Sequence, residues 1–221
     1  VAGKLQQYKT AVAGLSGDRV SNEDMFLFQK LMRNGLGSSH IDLANRRLAG
    51  GDVVAKVGIS QGSNLLNLGE GDAIVVVASD LHEEVPVWWL RVKQAAQRGA
   101  SLVILNVRPT RLDECSRHVI HFRPGQAVAT VRQLVNDAKV AAADADNSPI
   151  KAAADVIMQA NNVVAFYGAE GLTYGETDAI AKLLANLLLI KNGEAYAGRP
   201  NNGLIPVWPH NNTQGAWDMG I

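Results

Sequence analysis

The stretch from Asp72 to Val107 constrains this chain most, because two apolar runs there bracket a helical pattern. Ala73-Ile-Val-Val-Val-Ala78 is continuously apolar, the mark of a strand buried on both faces. Pro86 to Arg98 reads as a helix: Pro86 suits the first helical position, and Glu83 and Glu84 lie at the positive end of the dipole. Val85, Trp88, Trp89, Val92 and Ala96 fall on one stripe, and Gly99 is a natural stop. Ser101-Leu-Val-Ile-Leu105 is a second strand. The whole is a compact βαβ unit, right-handed by the general rule for parallel crossovers.

The alternation continues on both sides. Ala11–Leu15 reads as a short strand, and Ser21-Asn-Glu-Asp24 as a capping box, with Asp24 in the usual Glu position, opening a helix through Asn34. His118–Phe122 is a strand. Gln126–Ala141 is a helix with Val128, Val131, Leu134, Val135 and Ala138 on one face. Ala142–Pro149 is the best linker signal. Ile150–Ala160 (helix), Asn162–Tyr167 (strand), Gly168-Ala-Glu-Gly171 (glycine loop) and Gly175–Ile190 (a helix apolar on nearly every side) follow. The expected class is α/β, a mostly parallel sheet with helices on both faces. The expected division is a first lobe over 1–141, a linker at 142–149, and a second segment over 150–221. From Asn192 onward that segment carries five glycines, three prolines and five asparagines, and reads as a long irregular stretch.

Composition removes several functions. Lys+Arg and Asp+Glu are equal at 21 each, which disfavours generic nucleic-acid binding. Cys115 is the single cysteine, so no internal disulfide can form, and an all-thiolate iron–sulfur cluster lacks its four ligands. The longest apolar run, Ala179–Ile190, is broken by Lys182 and Asn186 and falls short of the ~20 residues a membrane span needs. The chain starts at Val1 without a signal-peptide pattern and reads as a piece of a longer protein.

Three loops at strand ends are candidates for binding. Gly168–Gly171 lies between a strand and a helix, an order that can present N–H groups to a phosphate, yet its spacing matches no dinucleotide or P-loop motif. On the bare pattern its glycines are better read as letting the chain turn sharply. Ser79-Asp80-Leu81-His82 follows a central strand, where open sheets bind ligands, but it lacks glycine, and Asp80, Glu83 and Glu84 would repel a phosphate. In Asn106–Asp113, either Arg108 and Arg111 clamp a phosphate while Asn106 reads a ribose or base edge, or the arginines pair with Glu83, Glu84 or Asp113. His118 and His121 point to opposite faces of one strand, and no spacing suits a metal. Cys115 has Arg111 and Arg117 nearby to lower its pKa, but no relay partner, and reads as an incidental thiol.

Taken together, several segments resemble the molybdopterin oxidoreductase family. Ser21–Leu31 is similar to its T-N-E-E-x-x-x-x-Q-K-L helix, and Gly99–Thr110 to its G-A-x-strand-D-P-R-x-T segment. Phe122-Arg-Pro-Gly125 matches R-P-G. Asn186-Leu-Leu-Leu189 with Gly198-Arg-Pro-Asn-Asn-Gly203 resembles N-L-L-L…G-R-P-x-x-G, and Asn212–Gly220 resembles N-x-Q-G-x-x-D-M-G. Within the family, Pro86–Ala96 and Asn106–Asp113 look most like the large iron–sulfur subunit (75 kDa type) of complex I, NADH-quinone oxidoreductase.

That resemblance implies cofactor-binding positions at Ser79, Asp80, Asn106, Arg108, Thr110, Gly168, Gly171, Asn212, Gln214 and Asp218, here vestigial. The family's Asp before Pro-Arg is Asn106, its glycine-containing turn is Ala78-Ser79-Asp80, and no Cys occupies a metal-ligand loop. A scaffold is therefore expected, with no cofactor or metal in this segment, no catalytic residue, and iron–sulfur clusters elsewhere in the subunit. Its expected partners are the other subunits of the complex I peripheral arm, with no nucleic acid, at a cytoplasmic site peripheral to the inner membrane. The alternative is a working molybdopterin-guanine-dinucleotide domain of a formate-dehydrogenase-like oxidoreductase. Under the scaffold reading, Asn212–Gly220 is expected to fold over the strand ends near Ala78–Asp80 and Asn106–Arg108 and close the vacated site.

Overall fold

The computed structural model describes the chain apart from residues 18, 45–48, 58–64, 141–147 and 194–200. Its helices and strands run α1 (Ala2–Tyr8), β1 (Gly14–Ser16), α2 (Asn22–Lys30), β2 (Ile41–Leu43), α3 (Gly51–Val57) and β3 (Ala73–Val77). Then come α4 (Leu81–Glu84), α5 (Pro86–Gln97), β4 (Ser101–Asn106), β5 (His118–His121), α6 (Ala127–Asp137) and α7 (Pro149–Gln159). The last are β6 (Val163–Tyr167), α8 (Tyr174–Asn192), β7 (Gly203–Pro206) and α9 (Thr213–Asp218). Two compact units result, Leu48–Val207 and a discontinuous one made of Val1–Arg47 with Trp208–Ile221.

This division corrects the expected lobes at 1–141 and 150–221. β6 follows the supposed linker in sequence, yet it pairs directly with β3, Val75 opposite Ala165, so both expected lobes share one sheet. Backbone hydrogen bonding across that ladder outweighs the break that the local composition suggested. Residues 142–147 of the linker lie outside the described residues. Ser148 and Pro149 begin a helix: Ser148 Oγ accepts from the Lys151 N–H at 3.1 Å, and Pro149 opens α7.

The larger unit is built on a five-stranded, wholly parallel sheet of order β5-β4-β3-β6-β7. Every residue of β3 and β6 is buried, as a strand covered on both faces requires. Alternation sorts the side chains. Ile74, Val76, Leu102, Ile104, Val164 and Phe166 share one cluster with Val92 and Ala95 of α5. Helices α7 and α8 cover the opposite face. Trp88 and Trp89 both pack against the first cluster while staying half-buried, Trp88 with its ring 5.7 Å from that of Phe166. Gly99 stops α5 with φ +99°, and a side chain there would meet Glu70. In α8, Thr173 and Glu176 form a full capping box, and Ile180, Ala181, Leu184, Leu187 and Leu188 are buried around most of the helix.

At the amino ends of the strands a polar network fixes register. Asn162 Nδ2 donates to Asp72 Oδ1 at 2.7 Å, and Asn202 Nδ2 donates to Asn162 Oδ1 at 2.9 Å. Asn202 Oδ1 in turn accepts from the Val163 N–H at 2.9 Å. These amides lock β7 onto β6 at the sheet edge, inside the stretch that the composition marked as irregular. The Gly198-Arg199-Pro200 part of the family pattern lies outside the described residues.

The smaller unit pairs β1 with β2 in parallel, Gly14 opposite Ile41. Ser21 caps α2 as expected, accepting from the Asp24 N–H. The regular helix ends at Lys30, short of Asn34, and Leu31–Gly35 forms one wider π turn. Asn212 Nδ2 donates to Val20 O at 2.7 Å and Asn22 Oδ1 at 2.9 Å, and Arg33 donates to Gly220 O at 2.6 Å. Met25, Leu43, Ala216 and Ile221 form its core, with Trp217 against them. The Trp217 ring meets Trp208 edge-on at 5.0 Å.

Candidate functional site at the sheet switch point

In open parallel sheets ligands bind where the strand order reverses, outside the carboxyl ends of the strands. Here the chain runs β3-β4-β5 in one direction and then returns to the other side of β3 with β6. The loops after β3, β4 and β6 therefore define the crevice; they contain Ser79, Asp80, Arg108, Gly168 and Gly171, and Asn106 ends β4 beside them.

Two of these loops touch each other through bare backbone. Gly168 donates its N–H to Val77 O at 2.9 Å, and Glu170 donates its own to Ala78 O at 2.9 Å. A Cβ on Gly168 would lie 2.5 Å from Ala78 O and 2.8 Å from Ser79 Cβ, so only glycine fits. Ala78 takes φ +50°, an uncommon conformation for a residue with a side chain. The glycine loop thus serves close approach of two strand ends.

The side chains then fill the crevice with charge. Arg108 joins two acids, with Nη1 3.0 Å from Asp80 Oδ2 and Nε donating to Glu170 Oε1. Asn106, wholly buried, donates from Nδ2 to the other oxygen, Glu170 Oε2, at 2.9 Å. Its Oδ1 accepts from the Val107 N–H at 2.8 Å. Asp80 also caps α4, accepting from the His82 N–H at 3.1 Å. Glu84 is exposed as a residue, yet its carboxylate Oε1 accepts from Ser79 Oγ at 2.8 Å and from the Asp80 N–H at 3.0 Å. Burial pushes the Glu84 pKa up, against these hydrogen bonds and with help from the charges of Glu170 and Asp80. The Glu170 hydrogen bond above all, with Asp80 behind it, raises that of Arg108.

Of the residues expected from sequence, the crevice unites Ser79, Asp80, Asn106, Arg108, Gly168 and Gly171. Of the two readings of Arg108, pairing is the one observed, but with Asp80 and Glu170 in place of Glu83, Glu84 or Asp113. Arg111 is exposed. Thr110 lies aside, donating to Asp113 Oδ1 at 2.8 Å, while Asp113 Oδ2 is 3.0 Å from His121 Nε2. Asn212, Gln214 and Asp218 belong to the smaller unit. Gln214 donates to Asp218 Oδ1 at 3.1 Å, and Asn212 holds Val20 and Asn22. The side chain that meets Arg108 and Asn106 at the end of β4 is Glu170, from the loop after β6. Glu170 carries no motif signal beyond an acid inside a glycine loop, and its partner Asn106 is 64 positions away.

Cys115 is not activated. Burial raises its pKa, outweighing the lowering by Lys93, and Sγ donates to Leu112 O at 3.3 Å. Burial lowers that of His118, with Arg117 adding to the effect. No group of three His, Cys, Asp or Glu side chains suited to a metal occurs among the described residues. No helix among them is long and apolar enough to cross a membrane.

As a seat for the phosphates of a molybdopterin nucleotide, the crevice fits poorly. Among the described residues, Asp80, Glu84 and Glu170 gather around Arg108, whose Nε and Nη1 are already engaged.

Comparison with known proteins sets this geometry in context. The chain is 32% identical, over 96% of its length, to the NADPH-Fe(3+) oxidoreductase subunit alpha of Geobacter sulfurreducens, and spans 29% of that relative. It is 33% identical over 55% of its length to the G 2 subunit of the NADH-quinone oxidoreductase of Rhizobium meliloti, covering 15% of that protein. Against the F420-dependent formate dehydrogenase subunit alpha of Methanocaldococcus jannaschii it is 24% identical over its full length, covering 38% of that protein. The fold is shared with a chain of the formyltransferase/hydrolase complex of Methylorubrum extorquens, at a TM-score of 0.60 and 14% identity, over 99% of this chain and 59% of that one. The molybdopterin oxidoreductase family profile matches residues 1–212, and the chain belongs to that family.

Proposed function

We propose that this chain is a structural domain in the large subunit of an NADH-quinone-type oxidoreductase, keeping the molybdopterin oxidoreductase fold without its cofactor. One observation carries the reading: the switch-point crevice is occupied by the chain's own Asp80–Arg108–Glu170 cluster. A phosphate entering there would have to displace a carboxylate from both Arg108 and Asn106 and remain beside Asp80 and Glu84. The similarity to the Rhizobium meliloti NADH-quinone oxidoreductase protein supports the same reading. On it, the domain contributes packing surface to neighbouring subunits of a peripheral, membrane-attached assembly, and iron–sulfur clusters elsewhere in the large subunit carry the electrons.

The full-length similarity to a formate dehydrogenase subunit favours a second reading, a working molybdopterin-nucleotide domain. Metal and nucleotide analysis of the complete native subunit separates the two. The scaffold reading expects neither molybdenum nor guanine nucleotide in stoichiometric amount, and finding both at one per subunit would reverse it.

A further inference from the structure

Glu170 has the position and bonding of a ligand. It stands between Gly168 and Gly171, the latter at φ +70°, and its two oxygens divide between Arg108 Nε and Asn106 Nδ2. Asn106 is completely buried at the end of β4, and its amide is oriented from behind by the Val107 N–H bond to its own Oδ1. The Arg108 side chain is 47% exposed and that of Glu170 23%, so solvent species can reach the pair. A preoriented amide N–H and a guanidinium N–H aimed at two oxygens of one group form a receptor for a small oxyanion.

We infer that Asn106 and Arg108 form an oxyanion seat at the carboxyl end of β4, and that Glu170 is its built-in occupant. This deepens the scaffold reading on which it rests, since the seat is filled from within the chain. Removing Glu170 leaves a space the size of a small carboxylate with both donors in place, and a carboxylate or phosphate from solution then takes the seat.

The experiment is chemical rescue of the Glu170→Ala chain, using acetate and inorganic phosphate as probes and sodium chloride at equal ionic strength as control. Glu170→Ala lowers the melting temperature, because buried Asn106 loses its acceptor. At ~100 mM, acetate raises it again by about 3 °C relative to chloride, as expected for a weak ligand that binds only the folded state. Wild type shows no such difference, and neither does Arg108→Ala/Glu170→Ala. Glu170→Gln, which keeps the seat filled with a neutral amide, responds less than Glu170→Ala. If Glu170→Ala does not fold, Glu170→Ser replaces it, retaining a hydroxyl for Asn106. A rescue by chloride equal to that by acetate, or no rescue of the folded variant, overturns the oxyanion seat and leaves the scaffold reading standing. Saturable binding of guanosine diphosphate to the unaltered chain would instead overturn the scaffold reading.

Discussion

Tyr167 ends β6 as the bulkiest fully buried side chain of the sheet, with its hydroxyl donating to Ala49 O at 3.0 Å. Burial pushes its pKa far above the ordinary phenol range, and the charges of Asp178, Asp52 and Tyr174 add to the effect. The sign follows from linkage. Above pH 10 the unfolded chain releases this proton while the folded chain holds it, so stability is complete below pH 10 and falls as pH rises. The slope is about 1.4 kcal/mol per pH unit. Tyr167→Phe removes that slope, but leaves the Ala49 carbonyl without its partner, at about 1–2 kcal/mol near neutrality. The two stability curves therefore converge by about pH 11, one unit above the reference pKa. Urea unfolding of both chains at pH 8, 9, 10 and 11 tests this. The other three tyrosines ionise in both proteins and cancel in the difference. Parallel curves from pH 9 to 11 would show that the phenol is not held neutral by the fold, and the reasoning would fail.

Gly168→Ala should cost about 2 kcal/mol or more, since the added methyl meets Ala78 O and Ser79 Cβ at the end of the next strand; a change under about 0.5 kcal/mol in denaturant unfolding would mean the strand ends can separate freely. Asn202→Ala should cost about 2 kcal/mol, leaving the Val163 N–H and Asn162 Oδ1 without partners, with hydrogen exchange rising first in β7. Trp88→Ala should lose about 2 kcal/mol, below the roughly 3–5 of a fully buried aromatic, because the ring is only half-covered against Phe166; calorimetry decides it. The purified chain, with its single thiol, should be colourless and free of stoichiometric iron, and a visible charge-transfer band with bound iron would contradict this.

Much of the sheet could be read directly. β3, β4 and β6 announce themselves because strands buried on both faces must be apolar without interruption, and α5 because its cap, stripe and stop agree. β7 escaped, since Gly203-Leu-Ile-Pro206 is short and bounded by a turn glycine and a proline. Its strand identity comes from pairing with β6 some forty residues earlier and from the Asn202 amide, neither of which leaves a local trace. The domain division escaped for a related reason: one unit is assembled from the two extremities of the chain, whereas composition reports only local breaks. At the site, the sequence put these loops after the strands, where the structure has them, but did not reveal which of their side chains meet. Arg108 offered nothing in its neighbourhood to favour Glu170 over Glu83, Glu84 or Asp113, because that choice is made by the order of the strands.

The discontinuous unit has a consequence for synthesis on the ribosome. Met25 and Leu43 emerge well before Ala216 and Ile221, which complete their core, and Asn22 waits 190 positions for Asn212. The five strands of the sheet and their helices are all available sooner. Nascent chains should therefore acquire the sheet unit first, while the early-made α2 stays uncovered and open to chaperones until α9 is released. A nascent chain stalled once Val207 has cleared the ribosome would carry a folded sheet unit while residues 1–47 still await their partners, and protease added to such stalled complexes should cut within residues 1–47 before it cuts the sheet.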